Sequence, residues 1–478
     1  MGTLDKVKGL VENPPKEYRS APFWGWNDRL QKENLGEQIE GFKKAGMGGF
    51  FIHSREGLET EYLSTEWMED VKFCVDKARE NDLELWIYDE DKWPSGAAGG
   101  KVSRVNPAEF TARALTMECG KAGELAVPAK LSNEEERTVT GDSDSIMCGE
   151  NRSTDENSMS GRNGSEDLAV EETMETEFLQ GVYVIQTTAD GRFIKRMKEY
   201  LTYEEAAEAC GVDEEILLLR QEISGKSEWY NGLMPPDNLN PESVKTFLKL
   251  THEHYEEVFG GSFPKEVKGF FTDEPNCCDF FSVFHEGRPW IPWSIGFTEY
   301  FIEKRGYDPQ EKLPYLFFDG EGAEKIRHDY WKTVAQRFEE SYMKQVYEWC
   351  DKRGLRTTGH ILYENDLGYQ TRVCGAAMPQ LRYLHNPGID LLGAQTDEYL
   401  TVKQCASVAH QYDRSMTISE AYGCTGWELD FSTQKWLGDW QFALGITRRC
   451  QHLALYSITG CRKRDYPPVF NYQNTWWD

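Results

Sequence analysis

The chain has 478 residues, of which 39% are hydrophobic and 13% aromatic, and its formal charge is −28. This composition excludes a disordered, collagen-like or disulfide-scaffold protein, and no run of 18 apolar residues predicts a transmembrane helix. The acidic balance argues against nucleic acid and anionic membranes as partners, because such a chain repels phosphate groups.

Short apolar or aromatic runs alternate with amphipathic stretches, which is the pattern of repeated βα units around a parallel sheet. Helices are predicted near residues 32–45 and 65–80, and a long helical region over residues 295–353. Eight strands are predicted, at Ala21–Trp26, Gly49–His53, Leu83–Tyr88, Val267–Thr272, Leu355–His360, Ile389–Ala394, Met416–Ser419 and Leu453–Tyr456. Eight such units favour an α/β fold, a (β/α)8 TIM barrel. A doubly wound open sheet is the alternative, but no GxGxxG follows the first strand.

The pattern is interrupted after the third strand. Residues 1–100 form the first part of the barrel, and residues 101–228 are predicted to be a small inserted subdomain. Within it, residues 131–177 hold 14 acidic and 3 basic residues and predict a flexible acidic loop. Residues 229–478 supply the rest of the barrel. The aromatic-rich ending after the eighth strand predicts a chain truncated before further C-terminal β domains.

The cysteines and the N-terminus bear on the compartment. The 12 cysteines are scattered without a CxxC pair, which indicates reduced thiols rather than a disulfide framework or a zinc site. The first residues also lack a secretory h-region. We therefore expect a cytoplasmic protein.

Catalytic groups of a barrel come from the carboxyl ends of its strands, where the loops converge. The predicted strand ends are rich in carboxylates and aromatic rings, which is typical of a sugar site: rings stack on pyranose faces and carboxylates bind hydroxyls. The candidate substrate-binding residues are Trp26, Asn27, His53, Asp89, Glu90, Trp93, Asp273, His360, Asp397 and Tyr422.

Glycoside hydrolysis needs two carboxyl groups that flank the bond. Glu274 in FFTDEPN and Glu420 in TISEAYG are the best pair, since each follows a strand-like run where the strand must end. The alternatives are a helix cap for Glu274 and a buried ion pair for Glu420. Asp273 is an alternative to Glu274, because strand alternation points only one of them inward.

The segment YDEDKWPSGAAGG combines three acids, a Trp-Pro turn and a glycine-rich loop. It is not a phosphate loop, because the GK[ST] ending is absent. It would serve hydroxyl recognition, an oxygen-ligand site for a Ca²⁺-type cation, or simply a solvated acidic turn. No other cofactor is required, and no metal ligand is assigned.

The runs APFWGWNDRL, GGFFIHSREGL, WIYDEDKWPSGAAGG, GFFTDEPN and SEAYG resemble bacterial glycosyl hydrolases related to the α-L-rhamnosidases of glycoside hydrolase family 106. The resemblance implies a (β/α)8 catalytic barrel, an inverting mechanism, and calcium near the sugar. It also implies that Glu274 is the general acid, that Glu420 activates water, and that β-sandwich domains follow the barrel.

The sequence therefore predicts a glycoside hydrolase that acts on small oligosaccharides or glycosides, with an α-L-rhamnoside as the favoured substrate. The expected partner is a carbohydrate. A non-catalytic carbohydrate-binding barrel and a metal-dependent sugar isomerase are the alternatives.

Overall fold

The computed structural model describes residues 3–126, 176–277 and 288–477. The chain divides into two compact units, Met1–Ala114 with Ile223–Asp478, and Leu115–Glu222. The helices at Lys101–Val105 and Pro107–Phe110 belong to the larger unit. Except for its last two residues, the predicted acidic loop 131–177 lies outside the described residues.

The strands of the described residues follow one another along the chain as β1 (Phe23–Trp26), β2 (Gly49–Ser54), β3 (Glu84–Tyr88), β4 (Arg113–Gly120), β5 (Glu177–Thr187), β6 (Ile194–Tyr200), β7 (Glu215–Ile223), β8 (Gly269–Thr272), β9 (Trp290–Trp293), β10 (Arg356–Gly359), β11 (Asn386–Leu391), β12 (Ile418–Ala421), β13 (Arg448–Gln451) and β14 (Ala454–Leu455).

The helices of the larger unit lie mainly between its strands. They span Thr3–Glu12, Lys32–Lys44, Thr65–Glu80, Lys101–Val105, Pro107–Phe110, Pro241–Leu250, His252–Phe259, Phe263–Glu266, Phe297–Arg305, Ala323–Phe338, Lys344–Asp351, Leu367–Cys374, Ala377–Leu381, Tyr399–Gln411 and Phe431–Leu444. Shorter 3₁₀ turns occur at Lys16–Tyr18, Glu228–Tyr230, Gly260–Ser262, Gln310–Leu316 and Gly460–Arg464, and a π turn at Glu339–Met343.

The larger unit is built on one parallel sheet with the strand order β13-β12-β11-β10-β8-β3-β2-β1-β14. Its ends meet, because β13 pairs with β12 and β14 pairs with β1, and only two residues separate β13 from β14. The Ala21 N–H also donates to the Arg449 carbonyl at 3.1 Å. The predicted (β/α)8 barrel is thereby confirmed.

The eighth strand differs from its prediction. The expected run Leu453–Tyr456 supplies only β14, and β13 precedes it in the sequence RRCQ. This segment has no apolar run, and its two arginines do not match the hydrophobic pattern from which strands are predicted. Arg448 is nevertheless buried, because its Nη1 donates to Glu84 Oε2 at 2.7 Å at the amino end of the barrel.

Three further predictions need adjustment. The region 295–353 is not one helix: Gly306 ends the first helix with φ 78°, and Pro309 and Pro314 lie in the turn that follows. Strand β11 begins before the predicted Ile389, and β12 extends beyond the predicted Ser419. The extension of β12 places Glu420 inside the strand, where it is the register partner of Asp390.

Aromatic rings fill the barrel interior. Phe23 packs edge-on against Phe271, with ring centroids 4.7 Å apart, and against Phe51 and Tyr88. Side chains alternate along a strand, so the residue two positions beyond Phe271 faces the same interior at the carboxyl end. That residue is Asp273. The hydrophobic interior thus ends in a polar layer at the mouth of the barrel.

The smaller unit contains an antiparallel arrangement in which β5 lies between β6 and β7. Val182 and Leu218 are register partners in its core, against which the helix Tyr203–Ala209 places Ala206. Across the described parts of both units, no helix is long and apolar enough to cross a membrane.

Candidate active site

A buried polar network lies at the carboxyl ends of β3, β8, β10 and β12. His360 Nε2 lies 3.0 Å from Asp273 Oδ1 and 3.0 Å from Glu420 Oε2. The Tyr88 hydroxyl donates to the other oxygen of Asp273 at 2.5 Å. Two residues predicted separately, Asp273 and His360, are thus joined to Glu420 in one cluster.

The charges in this network support one another. Burial opposes a charged imidazole, but Asp273 and Glu420 outweigh it and raise the pKa of His360 well above its usual range. Burial alone would raise the pKa of Asp273, but the charge and hydrogen bond of His360 lower it below its usual value. Burial and the charge of Asp273 raise the pKa of Glu420. The network is therefore an imidazolium held between two carboxylates.

Glu274 leaves the strand in a different direction from Asp273. Its backbone adopts φ 47°, a left-handed conformation that is rare for a residue with a side chain and is frequent at functional sites. Its carboxyl lines a cavity of 590 Å³ at the barrel mouth. Burial and the neighbouring Asp273 raise the pKa of Glu274 well above its usual value. Glu274 is therefore suited to carry a proton at neutral pH.

The cavity joins aromatic rings with carboxylates. Trp93, Trp229 and Tyr466 form one side of it, and Trp93 and Trp229 meet edge to face with centroids 4.7 Å apart. Its carboxylates are Glu274, Glu364, Asp390 and Glu398. We call this space the main cavity.

Two carboxyl groups of the main cavity are strongly influenced by burial. Burial raises the pKa of Glu364 to about 8. Burial and the charge of Glu420 raise the pKa of Asp390 well above its usual value. One oxygen of Glu364 accepts from the Asp390 backbone N–H at 3.0 Å, and the other is buried without a hydrogen-bond partner among the described residues.

Glu420 does not line the main cavity within the part of the chain that the structure describes. It is 6% exposed, its Oε2 contacts His360, and its Oε1 lies 3.7 Å from His452 Nε2. It is the register partner of Asp390, which does line the cavity. Glu420 therefore lies next to the cavity wall, and Asp390 is its neighbour on that wall.

The glycine-rich loop after β3 is organised around one carboxylate. Glu90 accepts hydrogen bonds from the backbone N–H groups of Asp91, Gly96, Ala97, Ala98 and Gly99, at 2.5–3.1 Å. Burial raises the pKa of Glu90 to about 7, against the effect of these donors. Glu90 therefore folds the loop that carries Trp93, and it does not line the main cavity among the described residues.

Asp273, His360 and Glu420 also form a group that could hold a metal ion, since their ligand atoms all lie within 4.8 Å of one another. One nitrogen and two carboxylate oxygens suit a transition metal or zinc better than Ca²⁺, which prefers an all-oxygen set. The predicted calcium would therefore not be held by this group.

Known proteins resemble this chain in sequence and in structure, although no family model matches it. A protein of Formosa agariphila described as "Putative beta-glucuronidase" is 22% identical over 500 aligned residues, which cover 99% of this chain and 40% of the relative. The solved rhamnosidase of Novosphingobium sp. PP1Y has a TM-score of 0.62 and 15% identity, over 98% of this chain and 59% of that one.

This chain shares the rhamnosidase's fold. It spans less than two thirds of the length of each of these two proteins. Both names are those of glycosidases, which supports a relationship to glycosyl hydrolases. The narrower assignment to glycoside hydrolase family 106 stays a prediction.

Several predicted binding residues lie away from the main cavity. Trp26 is fully buried against Trp24 and Trp67 in the core. The Asn27 side chain forms two hydrogen bonds with the backbone of Ser457. Its Nδ2 donates to the carbonyl and its Oδ1 accepts from the N–H, each at 2.8 Å. Trp26 therefore packs β1 against the helix Thr65–Glu80, and Asn27 joins the end of β1 to the chain just after β14.

Three other predicted residues do not line the main cavity either. Tyr422 is buried and donates to the Gln434 carbonyl at 3.0 Å. Asp89 is buried and accepts from Ser95 at 2.6 Å. Asp397 is exposed, and its neighbour Glu398 lines the main cavity instead.

His53 does not line the main cavity. It stacks on Tyr88 with ring centroids 3.6 Å apart, and its Nε2 lies 3.0 Å from Arg55 Nη1. Burial and the charge of Arg55 lower the pKa of His53 well below its usual value. His53 is therefore neutral and positions both Tyr88 and Arg55.

The predicted catalytic and substrate-binding residues do not include part of the cavity wall: Glu364, Asp390, Glu398, Trp229 and Tyr466. Asp390 carried a usable signal, since it is a single carboxylate inside the apolar run GIDLL. Trp229 and Tyr466 lie in loops remote from the predicted strand ends, so no strand pattern identifies them.

Proposed function

We propose that the protein is a glycoside hydrolase with Glu274 as its general acid. The observation that carries this proposal is the position of Glu274: a carboxyl with a raised pKa that faces a cavity lined by aromatic rings and further carboxylates. A protonated carboxyl group can donate its proton to the glycosidic oxygen as that oxygen leaves. The glycosidase names of the two similar proteins support the same reaction class.

Glu420 is the proposed base that activates water. Its raised pKa brings its basicity closer to neutral pH, where a general base is most effective. His360 donates to one oxygen, which leaves the other for a water molecule. Asp390, its register partner on the cavity wall, is the second candidate for this role.

In the proposed reaction, Glu274 donates its proton to the leaving oxygen as the bond to the anomeric carbon breaks. A water molecule loses a proton to the base and attacks from the opposite face of the ring. The resemblance to inverting rhamnosidases supports this course. The aromatic wall formed by Trp93, Trp229 and Tyr466 would hold the pyranose faces.

A neutral sugar is the favoured glycone. The ionisable side chains that line the main cavity are all carboxyl groups among the described residues, so no cationic side chain there pairs with an anionic glycone. This favours an α-L-rhamnoside over a glucuronide in the main cavity.

The proposal is tested with a panel of nitrophenyl glycosides, followed by proton NMR of the first anomer released. We expect hydrolysis of a neutral deoxyhexoside or hexoside, and release of the inverted anomer. Binding of sugars without any hydrolysis would instead select the carbohydrate-binding barrel.

A metal-dependent sugar isomerase is a second candidate, favoured by the ligand atoms of Asp273, His360 and Glu420 that lie within 4.8 Å of one another. Dialysis against EDTA, followed by addition of Zn²⁺, Mn²⁺ or Ca²⁺, distinguishes the two. Aldose–ketose interconversion that is lost with EDTA would select the isomerase. Hydrolysis restored by Ca²⁺ alone would support the calcium near the sugar that the resemblance implies.

A further inference from the structure

A second cavity of 570 Å³ shares an aromatic wall with the main cavity. Trp93, Trp229 and Tyr466 line both spaces. A saccharide that extends beyond the sugar in the main cavity would cross these rings and place its next unit in the second cavity. The two cavities therefore provide neighbouring sites on either side of one bond.

The two cavities differ in the ionisable side chains that line them. The main cavity is lined by four carboxylates and, among the described residues, by no lysine or arginine. The second cavity is lined by three arginines, Arg55, Arg462 and Arg464, against two acids. Three arginines in one lining are unexpected in a chain with a net charge of −28, and any of them without an acidic partner would attract an anion.

The arginines of the second cavity are not equivalent. Arg55 is neutralised by Asp465, to which its Nε and Nη2 donate at 2.8 and 2.9 Å. This buried guanidinium lies over Trp93, 4.4 Å from the ring centroid, and supports the aromatic wall. Arg55 and Asp465 are therefore structural partners with no net charge for a ligand.

Arg462 is also paired with acidic side chains, so Arg464 remains for a ligand. Arg462 Nη2 lies 3.2 Å from Asp28 and 3.3 Å from Glu59, which fix the orientation of its side chain. Arg464 is exposed and forms no ion pair with any residue that the structure describes. A planar guanidinium matches a carboxylate through two parallel hydrogen bonds.

We propose that the second cavity binds a uronic acid, the unit attached to the neutral sugar that is cleaved in the main cavity. This inference rests on the proposed function. The shared aromatic wall packs against the ring faces of both units, and Arg464 pairs with the carboxylate. The substrate is thus a neutral sugar linked to a uronate.

The test compares two substrates in which the glycone identified by the panel is linked to glucuronic acid or to its methyl ester. The measured quantity is the ratio of kcat/KM for the acid to kcat/KM for the ester. We expect the wild-type protein to favour the acid, and Arg464→Ala to lower the ratio about tenfold. Salt should lower the ratio in the wild type, because it screens exposed charges.

Lys463→Ala is the matched control, since it removes the same charge from the adjacent exposed residue, which lines neither cavity. It should leave the ratio unchanged. An equal effect of both variants would reduce the proposal to general charge attraction and overturn it. A stronger preference for a 6-sulfated hexose than for the uronate would also overturn it.

Binding measured without turnover separates this inference from the proposed function. Ligand-observed NMR with methyl glucuronide and methyl glucoside is applied to the wild type, Arg464→Ala and Lys463→Ala. Loss of glucuronide binding in Arg464→Ala alone supports the second cavity even if the panel shows no hydrolysis. Hydrolysis without any glucuronide preference leaves the proposed function standing and contradicts the uronate site.

Discussion

Single residues at the barrel mouth have properties that their sequence neighbours do not share. Asp273 and Glu274 are adjacent, yet Asp273 faces the interior and pairs with His360, whereas Glu274 turns into the main cavity with φ 47°. Their pKa values move in opposite directions. Separation of one charged and one protonated carboxyl is what acid–base chemistry requires.

Glu364 makes the stability of the folded protein depend on pH. Its pKa rises from 4.5 to about 8 on folding, so the folded state favours the protonated form. This stabilisation is fully present below pH 4.5 and is lost as the pH rises through about 8. Glu364→Gln should therefore flatten the decline of unfolding free energy between these two pH values.

Urea denaturation at pH 5, 6, 7 and 8 measures this effect. Glu61→Gln is the control, because it removes one carboxyl from an exposed position. If the wild type and Glu364→Gln lose stability in parallel as the pH rises, the assigned environment of Glu364 is wrong.

At the scale of elements, the loop after β3 depends on one buried side chain. Glu90→Gln would turn an amide NH₂ toward backbone N–H donors that now share a carboxylate. Each buried donor left unsatisfied costs about 1–3 kcal/mol. At pH 8 we expect a loss of about 3 kcal/mol in unfolding free energy and a raised KM, because Trp93 lies on this loop.

Thermal and urea unfolding of Glu90→Gln, with Glu61→Gln as the exposed counterpart, check this expectation. Glu61→Gln should stay within about 0.5 kcal/mol of the wild type. A Glu90 variant as stable as that control would show that the loop is held by other contacts.

Elements with an apolar period were predicted well, and those without one were not. The helix Thr65–Glu80 has the predicted bounds, and β2 extends only one residue beyond its prediction. β13 was not predicted because its sequence RRCQ has no apolar pattern, and Arg448 is buried by a partner on another strand, Glu84. For the network around His360, the sequence predicted the residues at the separate strand ends. It did not predict that His360 pairs with Asp273 and Glu420, because that pairing depends on barrel closure.

Prediction from the sequence was also limited for the candidate site. Trp93 and Glu274 were predicted and line the main cavity, but Trp26 and Tyr422 follow the same strand-end rule and lie in the core. Position along a strand does not reveal whether a ring faces the cavity or the surrounding helices. Loops that are distant in the sequence complete the cavity wall, and they contribute Tyr466 and Trp229 to it.

At the scale of the whole molecule, a buried ion pair helps to close the barrel. Arg448 begins β13 and Glu84 begins β3, and their side chains are 1% and 7% exposed at a distance of 2.7 Å. Removing one partner leaves an uncompensated buried charge, which costs about 3–5 kcal/mol. Glu84→Ala should lose about this much unfolding free energy.

The matched control is Glu80→Ala, which removes the exposed pair with Lys77 and should cost at most about 1 kcal/mol. Both variants should retain wild-type kcat below their unfolding temperatures, because Glu84 lies at the opposite end of its strand from the candidate site. A Glu84→Ala protein as stable as Glu80→Ala would show that closure does not depend on this pair.

The most direct test of the account is the leaving-group dependence of Glu274→Gln. Glu398→Gln, a carboxyl on the same cavity wall, is the control and should affect poor and good leaving groups alike. For Glu274→Gln we predict a loss of about 10²–10⁴-fold in kcat/KM on alkyl glycosides, which need protonation, and a much smaller loss on dinitrophenyl glycosides, which do not. Equal losses on both substrates would contradict the assignment of Glu274 as the general acid.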